Sequence, residues 1–94
     1  MTISFVGGPY DGLQLSALEI QRIALLFTLA TTRGPRKFGV FPHPVDWAEI
    51  RSGRMEVDQS RASYYYELVN TVLGPQHQYD QGGKRYREAL SEVI

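Results

Sequence analysis

The sequence predicts an α+β fold: a small antiparallel sheet with an N-terminal hairpin, one long buried helix packed on it, a short middle helix and a C-terminal helix. Three observations predict it. Residues 5–12 read Phe-Val-Gly-Gly-Pro-Tyr-Asp-Gly, a turn-forming segment set between two short apolar runs. A capping box, Ser16-Ala17-Leu18-Glu19, stands ahead of apolar residues at helical spacing. A later stretch, Ser63–Val72, is dense in aromatic and β-branched residues, which suit a strand.

Thr2–Val6 is the first strand, with Ile3 and Phe5 on one face by the two-residue period. Gly7 and Gly8 admit backbone angles that other residues resist, and Asp11-Gly12 is a strong turn pair. Leu13 to Leu15 then form the return strand. A helix is expected from Ala17 to Leu29, with Ile20, Ile23, Ala24 and Phe27 on its buried side. Thr31 to Lys37 is a basic connector, and Phe38 to Phe41 a short strand. Pro42 and Pro44 interrupt any ladder, since neither can donate a backbone hydrogen bond. Pro44 suits the first turn of a short helix at Val45–Ser52, and Met55-Glu56-Val57 is a brief strand. Ser63–Val72 is followed by a Leu73-Gly74-Pro75 turn and a short strand, Gln76–Tyr79, that pairs back. Asp80 to Gly83 is a loop. The last helix, Lys84–Val93, gathers Tyr86, Ala89, Leu90 and Val93 on one face. No internal repeat or low-complexity tract is evident.

The 94 residues suit one domain, 1–94. The chain has no cysteine, which excludes disulfides, thiolate metal sites and cysteine nucleophiles, and which suits a reducing compartment. Ten acidic and ten basic residues cancel, and that lowers the expectation of a dedicated nucleic-acid binder. The most apolar segment, Ile23–Ala30, is about half the length that spans a bilayer. Met1 to Leu15 carries no Lys or Arg, unlike a secretory signal. A cytoplasmic protein without membrane contact is expected.

Four groups of residues bear on function. Gly7, Gly8 and Gly12 form a candidate anion loop, because successive glycine N–H groups can make a nest. The loop lacks the Lys-Ser/Thr of a P-loop, so a tight strand connection is the simpler reading. His43 and His77 lack paired metal-ligand spacing; a metal would need Asp46, Asp80 or Glu67 as well. No metal and no cofactor are expected. Arg33, Arg36, Lys37 and Arg54, with Arg51 nearby and Phe38, Phe41 and Trp47 among them, form a candidate nucleic-acid strip. Solvated charges beside packed aromatics explain the same pattern. The run Tyr64-Tyr65-Tyr66 must point to both faces of a strand, so Tyr64 and Tyr65, with Trp47, form a candidate protein-facing surface.

The matching positions Gly7, Gly8, Pro9, Asp11 and Gly12, then Tyr66, Glu67, Leu68 and Val69, resemble those of small uncharacterised bacterial and phage proteins. Those proteins open with a strand and a Gly-Gly-Pro-x-Asp-Gly turn and carry a later Tyr-rich strand. The resemblance covers about a quarter of the chain and implies an α+β fold, with no activity to carry over. The functional expectation is therefore a non-enzymatic protein-interaction module acting through the tyrosine surface, with a homodimer as one form it can take. The alternative is a nucleic-acid-binding accessory protein using the basic strip. No catalytic set is recognisable; were there one, Asp46, His43 and Asp11 lie beside loops and are the groups to inspect.

Overall fold

The computed structural model describes residues 2–44 and 63–94. In chain order the elements are β1 (Thr2–Val6), β2 (Gln14–Ser16), α1 (Ala17–Ile23), β3 (Leu25–Thr31), β4 (Gly34–Phe41), β5 (Tyr64–Thr71), β6 (Gly74–Asp80) and α2 (Lys84–Ser91). All six strands join one mixed sheet in the order β2-β1-β6-β5-β4-β3. β3 to β6 form an antiparallel meander, and β1 joins it by pairing parallel to β6. Trp47, Asp46, Arg51 and Arg54, together with the expected helix at 45–52 and strand at 55–57, lie outside the described residues.

The expected long helix does not form. Its start does: the Ser16 hydroxyl accepts from the Glu19 N–H at 3.2 Å, and the Glu19 carboxylate accepts from the Ser16 N–H at 3.0 Å. It ends after seven residues, where Ala24 turns extended and donates its N–H to the Ile20 carbonyl. The next residues, Leu25–Thr31, pair along their full length with β4. An apolar run of this kind fits a helix or a strand by composition, and pairing with a neighbouring strand decides between them. The alternation is visible in the burial, with Phe27, Leu29 and Thr31 turned inward and Leu26, Thr28 and Ala30 exposed. The architecture is thus mostly a six-stranded mixed sheet with two short helices among the described residues, and not a small antiparallel sheet under a long buried helix.

Each face of the sheet has its own cover. On one face, Phe5, Leu15, Phe41 and Tyr66 pack with Ile20 and Ile23 of α1 and with Tyr10 of the turn that follows β1. The rings of Phe5, Phe41 and Tyr66 meet edge to face at 5.3–5.4 Å between centroids. On the other face, Tyr86 of α2 sets its ring edge against Phe27 and Phe38 and stacks on Tyr65 at 5.3 Å. Asp80 holds the start of α2: its carboxylate accepts from the Arg85 N–H at 2.7 Å and the Tyr86 N–H at 2.9 Å. A buried acid on free N–H groups at a helix start is favourable in both hydrogen bonding and charge.

Two hairpins share one turn. Thr-x-x-Gly-Pro occurs at 31–35 and again at 71–75. In both, the threonine hydroxyl donates to the glycine carbonyl, and the residue before the glycine donates its N–H to that hydroxyl. The pairing is also the same, Thr31 with Gly34 and Thr71 with Gly74. The short repeat that escaped the sequence reading is therefore real at the level of the turn.

Candidate functional site

α1 spans about 10 Å, whereas six strands side by side are about 24 Å wide. The helix sits over the β1–β2 side of its face; farther along, Tyr10 covers Phe41 and Tyr66, whereas the row of Thr28, Lys37 and Leu68 is only partly covered by the described residues. Between α1 and that row lies a half-open cavity of about 310 Å³. Ile3, Ile20, Leu26 and Leu68 supply apolar wall, and His77 and Lys37 supply polar groups. The register explains the placement. Phe5, His77, Leu68, Lys37 and Thr28 stand in one row across five strands, so their side chains point to one face.

His77 is 2 % exposed. Its ring stacks on Phe5 at 5.0 Å and meets Phe41 edge-on at 5.3 Å. Nδ1 is buried with no hydrogen-bond partner among the described residues. Burial disfavours the imidazolium and lowers the pKa to about 4, so the ring is neutral at ordinary pH. Lys37 is exposed at the cavity and makes no ion pair among the described residues. No acidic side chain lines this cavity among the described residues.

The glycine loop is committed to its own chain. Asp11 Oδ1 accepts from the Gly7 N–H at 2.7 Å, and the Phe5 carbonyl accepts from the Gly12 N–H at 3.0 Å. The Tyr66 hydroxyl donates to the Gly7 carbonyl at 2.7 Å and accepts from the Tyr10 N–H at 2.9 Å. Gly8 passes so close that a Cβ would lie 2.6 Å from the Tyr66 hydroxyl oxygen. The loop thereby drives Tyr10 into the core, where its hydroxyl donates to the Pro42 carbonyl at 2.9 Å. Burial raises the pKa of Tyr66 to about 12 and moves Tyr10 the same way.

The other candidates are dispersed. Tyr64 and Tyr65 are half-buried against in-chain partners. Tyr64 lies beside Tyr79 and meets His43 Nδ1 at 3.2 Å, and Tyr65 rests on Tyr86. Arg36 grips Glu67 with two hydrogen bonds of 2.8 Å, and that bonding raises the pKa of the guanidinium. Arg85 reaches the same carboxylate at 3.5 Å. Arg33 lies at the β3–β4 turn, 3.9 Å from Glu92. Of the metal candidates, Glu67 serves the arginines and Asp80 caps α2, on the face opposite His77. No group of three acidic or histidine ligands stands together among the described residues. The sequence points to His77 only as a candidate metal ligand and to Lys37 only as part of a basic strip. Their meeting at one cavity depends on strand register, which no local pattern announces.

Among the described residues, no helix is long and apolar enough to cross a membrane. No family model, no curated protein and no solved structure matches this chain at a significant level. The likeness of the Gly-Gly-Pro-x-Asp-Gly and Tyr-rich segments to small bacterial and phage proteins stays a resemblance of motifs.

Proposed function

We propose that this protein is a non-enzymatic interaction module whose partner is a second copy of the same chain. One observation carries the reading. Val72 and Leu73, neighbours at the tip of the β5–β6 hairpin, are 102 % and 93 % exposed. Turn tips favour Gly, Asn, Asp, Ser and Pro. The equivalent turn between β3 and β4 has Thr32 and Arg33 in their place. Both turns are held by the same threonine and glycine contacts, so the fold has no need of an apolar pair at the tip. The β4–β5 register brings both tips to one end of the sheet. Val93, which bridges Thr31, and Leu90 add exposed apolar surface at that end. Apolar surface gathered in this way is a mark of an interface.

The zero formal charge supports a second copy as the occupant, because copies of a neutral chain do not repel one another at long range. The tyrosines are a weaker basis, being half-buried against their own chain. The basic strip is weaker too, since Arg36 is engaged with Glu67 and Arg33 stands near Glu92.

Light scattering on a concentration series of the full chain tests the proposal. The expected result is a dimer that becomes monomeric when Val72→Thr and Leu73→Arg give this tip the residues of the other hairpin, with unfolding unchanged at low concentration. A wild-type monomer at the highest concentration, or a dimer indifferent to the double substitution, overturns it. So does oligonucleotide binding that weakens steeply with salt, which belongs to the alternative reading.

A further inference from the structure

We infer that the cavity beside α1 is a binding site for a small amphipathic carboxylate, with the apolar body against Ile3, Ile20, Leu26 and Leu68 and the carboxylate at the Lys37 ammonium. Four observations lead there. Among the described residues the cavity follows from the fold, because the seven-residue α1 does not reach the row of Thr28, Lys37 and Leu68. At about 310 Å³ it is near the lower end of ligand pockets in general, and about twice the volume that holds one benzene ring. Its lining holds a cation and no anion among the described residues, so charge complementarity selects an anionic head group. Its inner wall carries His77, almost fully buried, with Nδ1 unpartnered among the described residues. An unpaired buried polar atom is costly in a structural core, so its presence calls for a functional or solvent partner.

The ring stays neutral at ordinary pH, so the wall offers polarity without a second charge. A ligand with one carboxylate and a slender aliphatic or monocyclic body of about ten heavy atoms suits the volume. Among the described residues a dianion has only Lys37 to meet it, and a cation would face Lys37 directly. The site is separate from the hairpin tip, and neither proposal requires the other.

The test titrates octanoate, and the uncharged octanamide beside it, into the full isotope-labelled chain and follows amide resonances. Saturable one-to-one shifts at Ile3, Ile20, Leu68 and His77 are expected, with octanoate bound about fivefold tighter than octanamide, the upper range for a partly exposed ion pair. Lys37→Met is expected to bring octanoate down to the level of octanamide. This position is exposed, so the variant keeps the fold. Gln21→Trp, on the exposed side of α1 at the cavity, is expected to weaken both ligands, with a dispersed spectrum as the check on folding. The inference is overturned by an absence of saturable shifts at these residues, by shifts confined to Val72 and Leu73, or by Lys37→Met binding octanoate as the wild type does. A folded Gln21→Trp that binds both compounds normally overturns it as well.

Discussion

The Tyr66 hydroxyl joins β5 to the turn after β1 through two hydrogen bonds at a buried position. Tyr66→Phe keeps the ring and removes both hydrogen bonds, the one from the Tyr10 N–H and the one to the Gly7 carbonyl. A loss of about 2 kcal/mol is expected, read from urea unfolding at unchanged m-value. His77 makes stability depend on pH. Its folded pKa of about 4 lies below the ordinary 6.5, so the unfolded chain takes up the proton first. The contribution of the neutral ring is complete above about pH 6.5 and is lost as pH falls through the window toward 4. Between about pH 7 and 5 the loss is expected to be about 2 kcal/mol, and His77→Phe should flatten the profile. The substitution retains the stacking on Phe5. A wild-type profile as flat as that of the variant would show that the ring is not buried neutral. Both residues could be named from the sequence, yet neither role could, because each depends on neighbours distant along the chain.

At the scale of elements, the two Thr-x-x-Gly-Pro turns act as matched clamps on neighbouring hairpins. Gly34 and Gly74 take φ of 105° and 110°, and no atom lies within 4 Å of where a Cβ would stand at either. Alanine at either position therefore meets backbone strain alone. Each substitution is expected to cost about 1 kcal/mol by thermal unfolding, with the two costs additive to within a few tenths. A cost near zero would mean that the turns relax into another type. The capping box of α1 was legible in the sequence because its partners are three residues apart. The start of α2 at Lys84 was legible too, but its cap was not, because Asp80 reads as part of a loop and reaches forward five and six residues to the Arg85 and Tyr86 N–H groups. Leu25–Thr31 was misread for a different reason. Its residues satisfy a helical spacing as well as an alternating one, and its seven pairings with β4 decide in favour of the strand.

Across the described residues, helices and sheet differ in extent, and the proposed cavity site follows from that difference. A longer α1 would have covered the face that now opens as the cavity. The dimer proposed at the hairpin tips also has a thermodynamic signature: the unfolding midpoint of the wild type should rise with protein concentration, and that of the tip variant should not. By itself the sequence determined the N-terminal hairpin, the start of α1, the Tyr-rich strand, the closing helix and the absence of cysteine chemistry. Each of these rests on contacts between near neighbours or on composition. Tertiary structure alone decided the end of α1, the parallel pairing of β1 with β6, and the row that sets His77 and Lys37 on one face. Those outcomes depend on which strands lie side by side and in what register. Backbone hydrogen bonding between distant segments settles that, and it leaves no periodic trace in either segment alone.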